Sequence, residues 1–281
     1  MSEPVLEALR AARAELDRVG NPTPRVDSEL LLAHLLGRTR GQLLLAPDLT
    51  VDESADFARL ISRRAAGEPV QHLTGRAPFR HLELAVGPGV FIPRPETELI
   101  VELAESALSR ARTAVDLCAG SGAIALAVKH EYPSVQVTAV ERSVAALPWL
   151  QRNAAAAADP VEVVAADIAE KSLLADRAGQ IDVVLSNPPY VPSNIKSELA
   201  PEIAYDPDEA VFAGPDGLGL MPALIATAAR LLRSGGRFVV EHDESQGQSM
   251  PDLLTATGDW REVADHLDLA GRPRFASAVR L

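Results

Sequence analysis

The residues best equipped for chemistry are Asn187-Pro188-Pro189-Tyr190, which close an apolar run in DVVLSNPPYVPS (182–193). Two successive prolines carry carbonyls but no N–H, so this backbone offers acceptors without donors. Asn187 adds a side-chain carbonyl and Tyr190 a flat ring. Together they suit a planar NH₂ group, which has two hydrogens to give and a π face to stack. A carboxamide or the exocyclic amine of a base meets that description. The nitrogen of such a group is a poor nucleophile because its lone pair is delocalised. Accepting both N–H bonds raises its electron density and fixes its direction of attack. Alignment with an electrophile supplies about 7–11 kcal/mol in favourable cases.

A site for the electrophile is legible in AVDLCAGSGAIALAV (114–128), a strand, a glycine turn and a helix start. Ligands of open α/β sheets bind beyond the carboxyl ends of the strands. Gly120 and Gly122 are expected to let a ligand approach the backbone. Glu141 ends the next apolar run about 20 residues on, where an acidic residue is expected to accept two ribose hydroxyls. No Lys-Ser/Thr pair follows the glycines, so the turn is not a P-loop, and the third glycine of the dinucleotide fingerprint is missing. S-adenosylmethionine fits instead: it brings a ribose and a sulfonium leaving group, and it needs no phosphate-binding lysine. Cys118 reads as a small apolar filler rather than a nucleophile. A rigid loop that merely ends a strand is the plainer reading of NPPY, and the glycine turn with Glu141 weighs against it.

These residues need a sheet to hold them. From residue 96 onward the pattern alternates: helix 96–111, strand 113–118, helix 122–131, strand 135–141, helix 143–156, then strands 161–166 and 181–186, helix 218–233 and strand 236–242. Short apolar strands separated by helices predict a mostly parallel sheet covered on both faces. Residues 259–266 and 274–281 are expected to add an antiparallel edge. Residues 3–66 read as helices, the first with Leu6, Leu9, Leu16 and Val19 near one face. Thr23 is expected to cap the second, with Pro24 at its first position and Gly37 at its end. The Gly- and Pro-rich stretch 68–95 predicts a hairpin. Three parts follow: a helical N-terminal domain (1–67) that docks substrate, a β-hairpin linker (68–95) and a catalytic domain (96–281).

Composition narrows the function. The chain has 281 residues, 47% hydrophobic and 23% charged, enough for a substantial core. Lys+Arg 27 against Asp+Glu 39 leaves a net charge of −12. Such a chain gains little from the counterion release that drives non-specific nucleic-acid binding. One cysteine excludes an internal disulfide and a cysteine zinc cluster. No signal peptide or membrane span is legible, which points to a cytoplasmic protein without membrane contact. His72 and His81 lack partners at metal-ligand spacing, and His242 is expected to be structural rather than a general base. Arg94, Glu96 and Glu98 are expected to form a charged cluster orienting the hairpin.

The sequence resembles the release factor glutamine methyltransferases. The likeness runs through EPVQHLTG (68–75), FIPRPETE (91–98), DLCAGSGAIALA (116–127), LSNPPYVP (185–192), AVFAGPDGLGL (210–220) and DLAGRPRF (268–275). It implies a Rossmann-like α/β domain with a seven-stranded sheet, preceded by a small helical bundle and a β-hairpin linker. It implies S-adenosylmethionine as cofactor and, as substrate, the glutamine of the Gly-Gly-Gln loop of class 1 peptide-chain release factors. By the same likeness Asn187 bonds the substrate amide close to the cofactor, and the Pro188 carbonyl takes the second amide hydrogen. Pro189 keeps the loop stiff, Tyr190 packs on the amide plane and Phe91 lines the pocket. Cys118, Ala119, Gly120, Ser121 and Gly122 approach the methionine part, Glu141 the ribose, Ile168 the adenine and Asp167 its amino group. The chain departs from the family in Cys118-Ala119 for Gly-Thr, Glu141 for Asp, and Ile168 for an aromatic. A monomer without metal or nucleic-acid contacts is expected. The competing readings are an amino-methyltransferase acting on adenine or guanine in RNA or DNA, and a non-catalytic cofactor-binding scaffold.

Overall fold

The computed structural model describes residues 3–281. They divide into two compact units. The first runs through Arg76 and takes in Ala200–Tyr205, and the second holds the remainder.

The first unit is helical: α1 (Val5–Arg18), α2 (Pro24–Leu35), α3 (Val51–Ala65) and the single turn α4 (Val70–Thr74). Its core joins Val5, Ala8, Ala12 and Leu16 of α1 to Leu31, Leu32, Phe57 and Ile61. The stripe at 5, 8, 12 and 16 follows the helical period, so Leu6 and Val19 fall outside it and are exposed. That corrects the face expected from the leucines: small alanines let the neighbouring helices approach. Pro24 does open α2, and Gly37 follows its end at φ 60°. The Thr23 cap does not form. Its hydroxyl donates instead to Asp27 at 2.8 Å. Asp27 also takes the Asn21 amide and, at 2.6 Å, the buried Arg64 guanidinium, an acceptor load that outcompetes the helix end.

The hairpin is shorter than the 68–95 expected: β1 is Arg76–Phe79 and β2 is Leu82–Ala85. Pro69 starts a helical turn before it, and Pro88, Pro93 and Pro95 interrupt the run of backbone donors after it.

The remaining strands form one seven-stranded sheet, in the order β5-β4-β3-β6-β7-β9-β8. They are β3 (Thr113–Leu117), β4 (Gln136–Glu141), β5 (Glu162–Ala165), β6 (Ile181–Ser186), β7 (Leu232–Glu241), β8 (Trp260–Leu267) and β9 (Pro273–Arg280). The first five run parallel, and β9 is antiparallel to both β7 and β8. Strand neighbours in sequence split between the two faces: Ala114, Val183 and Val239 join α5 (Leu99–Leu108), α6 (Ala123–Glu131) and α7 (Leu147–Ala156) in one core. Val115, Val184 and Val240 face α9 (Met221–Leu231) and α10 (Ser249–Ala256) in the other. A short α8 (Asp208–Val211) precedes α9. The sequence reading missed α10, whose signal is the buried pair Met250 and Leu254 one turn apart.

Register makes the site. Leu117 pairs with Val140 on one side and Ser186 on the other, and Ser186 pairs with Val240. The four next residues, Glu141, Cys118, Asn187 and Glu241, therefore leave the carboxyl edge side by side. The order of connections reverses between β3 and β6, where such sheets bind ligands.

Candidate active site

The glycine turn starts under constraint. Cys118 has φ 64°, in the left-handed region that side chains avoid, and Gly120 and Gly122 follow at 55° and 88°. The two glycines differ in purpose. A Cβ on Gly120 would meet nothing within 4 Å, so its face is open to a ligand. A Cβ on Gly122 would lie 2.6 Å from the Leu150 Cδ1, so this glycine also packs against the core, and its φ of 88° favours glycine as well. Burial, with the nearby charges of Glu141 and Asp116, pushes the Cys118 thiol far up, so it stays protonated and is no nucleophile.

Glu141 holds this turn. One carboxylate oxygen accepts from Gly120 N at 2.8 Å; the other accepts from Arg142 N at 2.8 Å and Ser143 N at 2.7 Å. With two acceptor positions per oxygen, only the Gly120-bound oxygen keeps one free. That position is available to a further donor. Two residues before Cys118, Asp116 bonds Ala125 N through one oxygen, and its other oxygen is buried without a partner. Burial raises its pKa to about 8.

Asp167 accepts from Ala169 N and pairs with Arg142 at 3.1 Å, and the Ala169 bond holds its carboxyl below its usual range. Ile168 turns its side chain into the core and gives its carbonyl to Thr227, leaving little surface for an adenine. Acceptors thus outnumber donors around an open glycine face. That acceptor set fits a cofactor that carries an ammonium, a sulfonium and ribose hydroxyls.

Beside the turn, the Asn187 amide nitrogen donates to Thr97 Oγ1 at 2.9 Å. Its oxygen accepts no hydrogen bond from the described residues and is free for a donor. Pro188 is buried, and Pro189 and Tyr190 partly so. The Tyr190 hydroxyl donates to Glu241 at 2.6 Å, which pins the ring by its far end. Burial, then the Glu241 charge, raises the phenol well above its ordinary value and keeps it a donor.

Behind the loop, Gln246 donates to the Tyr190 and Asp216 carbonyls, both at 3.0 Å. Val191 pairs with Phe212 in a parallel bridge. A Cβ on Gly217 would fall 2.0 Å from the Tyr190 carbonyl oxygen, which is why the 210–220 segment carries glycine there.

Phe91 lies under the Arg94 guanidinium, 5.0 Å from ring centre to Cζ, and Arg94 pairs with the buried Asp206. The expected cluster of Arg94, Glu96 and Glu98 separates into three contacts. Only Glu98 reaches the hairpin, accepting from Arg80 N at 2.8 Å, and Glu96 lies 3.9 Å from Arg272. His242 is fully buried between Asp265 and the Asp243 carbonyl. Thr97 and Glu241, the hydrogen-bond partners of Asn187 and Tyr190, are not among the residues the sequence singles out. Thr97 lies inside FIPRPETE, and Glu241 next to His242. Among the described residues no group of three or more His, Cys, Asp or Glu side chains could hold a metal ion.

The N-terminal residues 7–75 match the family described as PrmC N-terminal domain, and residues 84–205 the family described as Methyltransferase small domain. A release factor glutamine methyltransferase of Mycolicibacterium smegmatis is 46% identical over 98% of this chain and 97% of its own length. The chain belongs to the release factor glutamine methyltransferase family. Members from Streptomyces coelicolor, 46% identical over 98% of this chain and 97% of that protein, and Corynebacterium glutamicum, 41% identical over 98% of each, agree. This family member is accordingly a methyltransferase.

Among solved structures, the hMettl16 catalytic domain in complex with an RNA hairpin aligns with a TM-score of 0.57 at 16% identity, over 79% of this chain and 80% of that one. A T. thermophilus 16S rRNA methyltransferase, in complex with AdoMet and guanosine, aligns with a TM-score of 0.52 at 22% identity, over 73% and 50%. Both likenesses establish the fold of the methyltransferase family and nothing narrower. No helix among the described residues is long and apolar enough to cross a membrane.

Proposed function

We propose that this chain transfers a methyl group from S-adenosylmethionine to the side-chain amide nitrogen of the glutamine in the Gly-Gly-Gln loop of class 1 peptide-chain release factors. It does so as a cytoplasmic monomer, tunes translation termination, and uses the helical N-terminal unit to dock its substrate. One observation carries the chemistry: the Asn187 amide is turned by Thr97 so that its oxygen stands free beside the glycine turn.

The cofactor, when bound, supplies a methyl carbon made electrophilic by its sulfonium. Gly120 offers the open face for it, and Glu141 the acceptor for one ribose hydroxyl. Asp167 adds an acceptor near its adenine. The Asn187 oxygen and the Pro188 carbonyl accept the two hydrogens of the substrate amide, which aims the nitrogen lone pair. Tyr190 and Phe91 close the flat sides of the slot. An alkylated amide nitrogen is strongly acidic and gives its proton to water. No dedicated base is needed, in keeping with a His242 held by Asp265.

Labelled S-adenosylmethionine incubated with the protein, a purified release factor, RNA and DNA tests this reading. Label in the glutamine amide is expected. Label in RNA or DNA with none in the release factor overturns the choice of substrate.

A further inference from the structure

Gln246 is buried in the turn Glu244–Gln246 that follows β7, and three backbone groups satisfy its side-chain amide. Its oxygen accepts from Asp243 N at 2.9 Å. Its nitrogen donates to the Tyr190 and Asp216 carbonyls, both at 3.0 Å. A backbone N–H can only donate and a carbonyl can only accept, so these partners settle which end of the amide is which. An ionised carboxylate here would set oxygen against two carbonyls, and a lysine would offer Asp243 N no acceptor.

The two carbonyls belong to different segments. Tyr190 closes the NPPY loop, and Asp216 lies in AVFAGPDGLGL (210–220). Just past Tyr190 these segments run together: Val191 N donates to the Val211 carbonyl at 2.9 Å, and Ala213 N to the Val191 carbonyl at 3.2 Å. Gly217 backs onto the joint. A Cβ there would lie 2.0 Å from the Tyr190 carbonyl oxygen and 2.7 Å from Gln246 Nε2.

We propose that Gln246 is a positioning residue for methyl transfer: by stapling the Tyr190 carbonyl to the 210–220 segment it holds the Pro188 carbonyl and the Asn187 oxygen where the substrate amide meets them. The inference rests on the proposed function, since only an NH₂ donor needs both acceptors in place.

The prolines explain why the loop needs an outside hold. Pro188 and Pro189 have no N–H, so neither can be tied to a neighbouring segment through a backbone donor. Their fixed φ angles also make the segment stiff, so a displacement of the Tyr190 carbonyl is carried back to the Pro188 carbonyl. The other holds act on side chains: Thr97 on the Asn187 amide at 2.9 Å, and Glu241 on the Tyr190 hydroxyl at 2.6 Å. Neither fixes the backbone of residue 190. Gln246 does, and its own amide is aimed by the Asp243 N–H.

The test measures kcat on a purified release factor, with cofactor affinity and urea stability recorded for each variant. Gln246→Met keeps the length of the side chain and removes all three bonds. It should lower kcat roughly 100-fold, the scale that a misplaced group costs, while cofactor affinity holds. In an Asn187→Ala background the same change should cost far less, because one of the acceptors it positions is already gone. A purely structural Gln246 would lower stability and leave the kcat of the folded fraction unchanged. Should Gln246→Met fail to fold, Gln246→Asn decides. It keeps the amide but one methylene short of the two carbonyls, and kcat should fall in the same way. Either variant, folded and with wild-type kcat, overturns the inference and leaves the proposed function standing, as does a loss that simply adds to that of Asn187→Ala. A wild-type enzyme inactive on the release factor overturns both.

Discussion

Ser186 pairs with Leu117 across β6 and β3, and its buried hydroxyl donates to the Leu117 carbonyl at 2.6 Å. This pair is the last bonded row before the chain leaves the sheet on both strands. It sets the glycine turn and the NPPY loop next to each other. Replacing Ser186 by alanine removes one buried bond and should cost about 1 kcal/mol in urea unfolding.

Asn187→Ala removes the free oxygen beside the turn. It should lower kcat about 10²–10³-fold, comparable to loss of one preorganised hydrogen-bonding group in a transition state. Isothermal titration should find cofactor affinity little changed. An equal fall in cofactor affinity would place Asn187 with the cofactor rather than the substrate.

Gly217 and Gly120 make a paired test. Gly217→Ala drives a Cβ to 2.0 Å from the Tyr190 carbonyl oxygen, so the NPPY loop must move. It should lose most of its activity and about 1–3 kcal/mol of stability, the scale of overpacking. Gly120→Ala meets open space and pays only for its left-handed φ, about 1–2 kcal/mol. Its loss should appear in the cofactor dissociation constant, because the new methyl stands where the ligand approaches.

Stability should depend on pH through buried carboxyls. Asp116 rises from 3.8 to about 8 on folding, and Glu241 from 4.5 to about 7. The folded chain then holds protons that the unfolded chain has released, so stability falls as pH climbs through that window. Cofactor-free protein should be less stable to urea near pH 8 than near pH 5, other groups held constant. Asp116→Asn should flatten that slope, whatever it does to stability at either end. An unchanged slope would show that Asp116 is ionised throughout.

Asp206 accepts from Ile92 N at 3.0 Å and pairs with Arg94, anchoring the segment that carries Phe91. Asp206→Ala strands a buried N–H and an ion-pair partner, and should cost about 2–3 kcal/mol. The Michaelis constant for the release factor should rise more than that for the cofactor.

Much of this was legible before folding. The alternation of apolar runs and helices announced a parallel sheet, and strand 181–186 was placed to the residue. The proline pair advertised acceptors because proline lacks an N–H wherever it sits. Contacts made across the fold were harder to read. Thr23 was expected to cap α2 because local chemistry favours it, yet Asp27 took its hydroxyl in a network that reaches Arg64. Nothing local to the glycine turn shows that a side chain on Gly122 would meet Leu150, 28 positions away.

The sequence by itself determined the chemical inventory: an acceptor-rich NPPY loop, a glycine turn, a strand-end glutamate, and helices and strands whose periods are local properties of the chain. Only the tertiary structure decided which strands are neighbours and in what register. Neighbour choice depends on burying both faces of the whole sheet, a condition no single segment carries. From that choice came the row Glu141, Cys118, Asn187 and Glu241, which sets the glycine turn beside the NPPY loop.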